Sequence, residues 1–193
     1  MFKEVGAIIL PFLLFRVIYF NTSKSESIHT KMQLRFYKEK VLISIEKNEI
    51  AVNGTYYFRN DYDRSITVRF RYPFPLDKYH EYPHHIEVRG INFIRAERDI
   101  CFFLNFNPYE EKEVNIRYRQ KLKSNRATYI VRTTRLWNNP IELAHFIIIV
   151  PMRFKRVTIS FQPDSSMLKD DYIYYYVTRK SFFPNKDLIV VWE

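Results

Sequence analysis

From Ile28 to the carboxyl terminus, apolar and polar residues alternate almost everywhere with a period of two, the spacing of a strand with one buried face. The stretch AVNGTYYFRNDYDRSITVRFRYPFPL (51–76) raises a question of topology, because Asn53-Gly54 is a strong hairpin signal. Yet Ile50, Val52, Tyr56 and Phe58 keep one phase across it, with Gly54 between them. A turn at Asn53-Gly54 would leave an arm of about three residues after the Glu46-Lys47-Asn48 break, short against a usual strand of about five. NDYDRS (60–65) is the richer turn cluster, and beyond it the alternation restarts as Ile66, Val68, Phe70 and Tyr72. The pattern predicts one strand running through Asn53-Gly54 and one long hairpin turning at 60–65. The glycine then marks a bulge or a close backbone approach.

The same grammar continues to the end of the chain. HHIEVRG (84–90), INFIRA (91–96), DICFFLNF (99–106), residues 113–122, ATYIVRTT, IELAHFIIIVP, RVTISFQPD, DYIYYYVT and DLIVVWE each read as strands bounded by turn residues. About ten strands at this spacing predict an all-β fold, an antiparallel immunoglobulin-like β-sandwich occupying residues 26–193 as one domain. No strand–helix alternation supports a nucleotide-binding α/β fold, and no internal repeat is visible. The exception to the period is the amino terminus. VGAIILPFLLF (Val5 to Phe15) is an uninterrupted apolar run, and VIYF extends it past Arg16. Its length fits a signal-peptide core, or a membrane anchor over residues 5–20 with Arg16 snorkelling to the interface. Ser23 and Ser25 offer loose positions for cleavage. Residues 1–25 are thus expected to direct an extracytoplasmic location, in the periplasm, the cell envelope or the medium.

Composition narrows the classes further. Aromatic residues make up 18% of the chain, with 17 Phe and 15 Tyr, and only three glycines occur, which disfavours a glycine-rich phosphate loop. The net charge is +10, of which residues 26–193 carry +8, since Lys3, Arg16 and Lys24 oppose Glu4 in the leader. Such a balance suits an anionic envelope polymer, a lipid head group or a protein partner. The export signal disfavours nucleic acid. Cys101 stands alone in ICFFLNF and reads as a small buried hydrophobe. No cofactor motif is present.

Three constellations are candidates for chemistry. KYHEYPHH (78–85) gathers His80, Glu81, His84 and His85, a set able to hold a metal if the loop folded back. Pro83 forbids the helical spacing of a metalloprotease motif, so a solvated loop is the expectation and a metal-dependent enzyme the alternative. The outward arginines are the second set: Arg69 and Arg71 on one strand, Arg117 and Arg119 on another, with Lys121 and Lys123 following. If those strands were neighbours, their guanidiniums would form a plaque for acidic oxygens. Glu110, Glu111 and Glu113 would otherwise neutralise an ordinary solvated face. The third is Trp137 in WNNP, near Arg132 and Arg135, which serves equally as an exposed stacking residue or as a core plug. No nucleophile elbow, triad or supported acid pair points to an enzyme.

The order of VNGTYYFRNDYDRSITVRFRYPFPLD, NPYEEKEVNIRYRQKL, YIVRTTRLWNNPIELAHFIIIVP and FFPNKDLIVVWE resembles a bacterial family of secreted proteins of uncharacterised function. The shared features are a strand leading to an F-P-L-P turn, a Thr-Thr…Trp segment before Pro-Ile, and a Pro…Asp-Leu-x-Val-x-Trp close. The resemblance covers most of residues 40–193. RYPFPLD stands here where a bare F-P-L-P is expected. The resemblance implies an exported β-sandwich and carries no catalytic residue with it. The expected function is a non-enzymatic binding or structural module of the cell envelope.

Overall fold

The computed structural model describes residues 34–193; the expectations placed on residues 1–25 lie outside them. The alternation becomes a succession of strands: β1 (Leu34–Glu46), β2 (Glu49–Asn60), β3 (Ile66–Pro73), β4 (His85–Val88), β5 (Ile94–Arg95), β6 (Asp99–Phe106), β7 (Glu111–Lys121) and β8 (Arg126–Tyr129). A 3-10 helix (Arg132–Trp137) interrupts them. Then follow β9 (Ile141–Pro151), β10 (Thr158–Ile159), β11 (Ser165–Lys169), β12 (Tyr172–Phe182) and β13 (Leu188–Val191). The fold is all-β. Among the described residues no helix is long and apolar enough to cross a membrane.

The strands form three sheets. A seven-stranded sheet has the order β11-β12-β9-β1-β2-β7-β4, and two three-stranded sheets have the orders β3-β6-β5 and β10-β13-β8. Most ladders are antiparallel, as predicted, but β1 and β9 pair in parallel at the centre of the large sheet. Both small sheets lie against the same face of the large one. Phe58 of β2 meets Phe70 of β3 with ring centroids 4.9 Å apart, and Phe146 of β9 meets Tyr129 of β8 at 6.2 Å. One hydrophobic cluster draws side chains from all three sheets.

The strand does pass straight through Asn53-Gly54: residues 49–60 form one twelve-residue strand paired with β1 on one side and β7 on the other. The reason is a close approach. A Cβ on Gly54 would stand 2.1 Å from the hydroxyl oxygen of Tyr56 and 2.4 Å from its Cζ, so the ring of Tyr56 occupies the space that any other residue would fill.

The expected hairpin at 60–65 is corrected. β3 pairs with β6 and not with β2, so NDYDRS carries the chain from the large sheet to the layer above it. Alternation on two arms is compatible with either geometry, since a hairpin sets side chains abreast and an arch sets them face to face. The tight hairpin lies instead at Lys47-Asn48, where Glu46 and Glu49 close the β1–β2 ladder. The arch is held by Asn60, fully buried, whose Nδ2 donates to the carbonyls of Arg64 (2.9 Å) and Asn107 (2.7 Å) while Oδ1 accepts from the Tyr62 N–H (3.0 Å). ATYIVRTT also ends as a strand at Tyr129. The Asp187 carboxylate takes the N–H groups of Val131 and Arg132 (3.1 and 3.0 Å) and turns the chain into the 3-10 helix.

Gly54→Ala tests the close approach directly. It is expected to lower unfolding stability by about 1–3 kcal/mol, the usual cost of overpacking a filled core. A urea unfolding midpoint equal to that of the parent would show that the Tyr56 ring does not lie over this glycine.

Candidate functional site

The four arginines do not form one plaque. Arg69 and Arg71 belong to a small sheet and Arg117 and Arg119 to the large one, and the inner faces of these strands meet at Tyr72 and Tyr118, with centroids 6.2 Å apart. Residues that alternate with those tyrosines must point away from each other, on opposite sides of the molecule. Each pair also has carboxylate neighbours. Arg71 is bonded to the buried Asp99, Arg119 Nε donates to Glu49 at 2.7 Å, and Arg117 stands opposite Glu87 in the β4–β7 ladder. Arg69 reaches the Sγ of Cys101, which is buried as predicted, at 3.6 Å. Arg117 and Arg119 share a shallow outer depression with Leu42, Ala51, Asn53 and Glu87.

The histidine segment is also not a uniform solvated loop. His80 is buried, its Nδ1 lies 2.7 Å from the Asp77 carboxylate, and its Nε2 accepts the backbone N–H of Thr128 at 3.0 Å. The imidazole acts as a neutral bridge between two chain segments, with its proton on Nδ1. Burial tends to raise the Asp77 carboxyl, but hydrogen bonds from His80 and the Tyr79 N–H outweigh that and hold it below the usual range. His84 turns instead to Glu49 at 3.2 Å, and His85 is exposed on β4 opposite Arg119. No three potential metal ligands converge among the described residues.

Trp137 takes the second of its two readings. It is 4% exposed and packs on Phe36, Phe58 and Phe70 at 5.9, 5.5 and 6.1 Å. Asn138 behind it adopts a left-handed conformation (φ 55°) that ends the 3-10 helix, so the turn in WNNP seats the indole inward. Arg132 bonds Asp187 and Arg135 lies over the Phe183 ring, which leaves neither beside the indole.

The indole lines a site that the sequence reading did not single out. β1 carries a bulge between Phe36 and Lys38, which reverses its phase: Leu34 and Phe36 point inward before it, and Glu39, Val41, Ile43 and Ile45 after it. Bulges re-aim side chains in this way. The result is a glutamate 1% exposed, between Tyr56 on β2 and Ala144 on β9, whose Oε1 has no hydrogen-bond partner among the described residues. Burial alone raises its pKa from 4.5 to about 8. The phase change was visible in LRFYKEKVLISIE, where the apolar positions switch from even to odd across YKEK.

Glu39 lines a cavity together with Phe36, Phe58, Phe70 and Trp137. Its polar rim is a chain of phenols. Tyr72 of one small sheet and Tyr129 of the other each lie 2.8 Å from the hydroxyl of Tyr56, which comes from the large sheet. Burial holds all three phenols well above their ordinary pKa. Pro73, Ile130 and Thr133 are the partly exposed residues of the lining and mark where it reaches the surface. The space in which water can sit is about 50 Å3. Three oxygens joined by two hydrogen bonds leave one O–H unspent and several lone pairs free, whichever way the chain runs. The cavity lining is therefore largely aromatic, and its polar groups are rich in acceptors.

Comparison with known proteins identifies a fold and no family. No family model and no curated protein matches the chain. Among solved structures, a "putative nutrient binding protein" from Legionella pneumophila is similar at a TM-score of 0.58 and 14% identity, over 83% of this chain and 67% of that one. A two-domain M1 zinc metallopeptidase bound to L-arginine is similar at 0.50 and 9% identity, over 82% of this chain and 42% of its own. Yeast LTA4 hydrolase is similar at 0.48 and 12% identity, over 83% and 29%. At these identities the likeness concerns the fold. The chain spans two thirds of the Legionella protein and less than half of the two enzymes.

Two outcomes follow from the geometry. His80→Ala is expected to destabilise the fold by about 2–3 kcal/mol, because it strands the buried Thr128 N–H and breaks the bridge to Asp77. A loss below ~0.5 kcal/mol in urea unfolding would return His80 to the solvated loop. For Glu39, both states are protonated below about pH 4.5, and between there and about pH 8 only the folded chain keeps the proton. This group's contribution to stability therefore falls as pH rises across that window and is level above it. Glu39→Gln is expected to flatten the decline and to be the more stable protein at pH 8. Parallel pH profiles for the two proteins would rule out a buried acid at this position.

Proposed function

We propose that this chain is a non-catalytic binding module of the cell envelope, exported through its apolar amino-terminal segment, which receives a small ligand in the Glu39 cavity. The observation that carries this reading is the fully buried carboxyl with an unpartnered oxygen, lining an aromatic cavity that reaches the surface. An apolar concavity with a few converging polar groups is the usual form of a small-molecule site. The fold is shared with the "putative nutrient binding protein" of Legionella. A two-layer β-sandwich of immunoglobulin-like kind is supported by the aromatic contacts that seat both small sheets on the large one. The parallel β1–β9 ladder departs from the antiparallel sheets of that class.

An acidic envelope polymer or lipid head group as partner has less support, since the arginines divide between two faces and meet carboxylates on each. A metal-dependent enzyme at residues 80–85 has less still, because both ring nitrogens of His80 are engaged within the fold.

Trp137 lines the cavity and reports on it. The full chain carrying Trp192→Phe keeps Trp137 as its only indole. Titrating it with a panel of small amines, alcohols, carboxylates and sugars is expected to change the emission for at least one class, with a matching rise in the thermal midpoint. A panel with no effect on either measurement would overturn the reading.

A further inference from the structure

The chemistry of the cavity limits what it can hold. Its polar groups are mostly acceptors, the unpartnered Oε1 of Glu39 and the lone pairs of the Tyr56, Tyr72 and Tyr129 hydroxyls, beside one unspent phenol O–H. Its walls are aromatic rings, whose faces carry partial negative charge and attract cations. Apart from Glu39, no lining residue carries a formal charge, so nothing in the wall balances a carboxylate. Lys38 and Lys40, the neighbours of Glu39 on β1, and His145 on β9 occupy the positions that alternate with the inward ones and belong to the opposite face of the sheet. The titratable groups facing Glu39 are the phenols of Tyr56 on β2, Tyr72 on β3 and Tyr129 on β8, with Tyr118 on β7 behind Tyr72.

A buried ion without a counter-ion is costly, and the cost disappears when a partner of opposite charge enters. An ammonium group presents three donors, no acceptor and one positive charge, which is the complement of this rim. Size points the same way. Water occupies roughly 10–15 Å3 of such space per molecule, so about 50 Å3 admits a chain of three or four heavy atoms. A larger ligand would enter with its ammonium end and leave its remainder at Pro73, Ile130 and Thr133, where the cavity reaches the surface.

We infer that the Glu39 cavity is a receptor for a small primary ammonium group, held between the carboxylate, the phenol chain and the aromatic walls. This rests on the cavity being a ligand site and adds the class of ligand. Binding converts the protonated carboxyl to a carboxylate and releases its proton to solvent, while the ligand keeps its own. Affinity for an amine that stays cationic therefore rises with pH, by about tenfold per unit, until the carboxyl of the free protein is itself ionised near pH 8.

The test titrates the full chain with ethylammonium, ethanol and acetate, three probes of similar size and different charge. Calorimetry, and Trp137 emission in the full chain carrying Trp192→Phe, provide the readouts between pH 6 and 9. Ethylammonium is expected to bind at least about tenfold more tightly than either other probe at pH 8, and to weaken as pH falls. Glu39→Gln, which keeps the shape and stays folded, is expected to abolish that preference. A preference retained in Glu39→Gln, or an affinity independent of pH, would overturn the assignment. If ethanol or acetate binds in the cavity and ethylammonium does not, the ligand class is wrong and the cavity remains a site. If none of the three binds, the site falls with it.

Discussion

The architecture depends on a seam. One face of a seven-stranded sheet has to be covered, and it is covered by two separate three-stranded sheets that share no ladder with each other. Backbone hydrogen bonds cannot close the line between them, so side chains must. Large rings do most of this, because each removes on the order of 150–250 Å2 from water and packs edge to face with its neighbours. Phe58, Phe70 and Trp137 form one such contact. The polar part of the closure is the phenol chain, with one tyrosine from each of the three sheets. Tyr56 can stand at its centre only because Gly54, two residues earlier on the same strand face, has no side chain. The cavity lies along this seam, where two layers that cannot pair leave room.

Much of this was legible, and the illegible parts share a cause. The period of two located the strands, and the unbroken phase of Ile50, Val52, Tyr56 and Phe58 carried β2 correctly through an Asn-Gly pair. Phase is a property of one strand. It does not say which strand comes next to it, so the arch at 60–65 looked like a hairpin and the pairing of β1 with the distant β9 was invisible. The same blindness joined the arginines of β3 and β7. Each pair does point outward, but outward from different sheets. Glu39 was missed for a different reason: charged residues are seldom buried, so KEK between two apolar runs reads as surface. The switch of phase across it was the signal that a bulge turns one of those residues inward.

Charge is distributed in a way that sets Glu39 apart. Despite a net +10, basic side chains outside the seam meet acidic ones: Arg35 with Glu142, Arg59 with Asp61, Arg132 with Asp187, Arg179 with Asp164. Such exposed pairs contribute little to stability, roughly 0–1 kcal/mol each. Asp99, also buried, has Arg71. His80, also buried, has Asp77 and the Thr128 N–H. Of these three buried ionisable groups only Glu39 keeps an oxygen without a partner, a state that the neutral amide oxygen of buried Gln120 shares.

That exception bears on function through stability. Desolvation makes the ionised form of Glu39 unfavourable, and glutamine would remove the conflict with almost no change of shape. A residue that destabilises the folded state at neutral pH, turned by a bulge toward a cavity walled by aromatic rings, has no role in holding the seam together. Phe36, Phe58 and Trp137 already fill that role. Proteins accept strain of this sort where activity or binding requires it, and the compensation comes from elsewhere in the fold. Here it comes from the aromatic contacts on either side of the cavity, which are extensive enough to hold three sheets together around one unsatisfied acid.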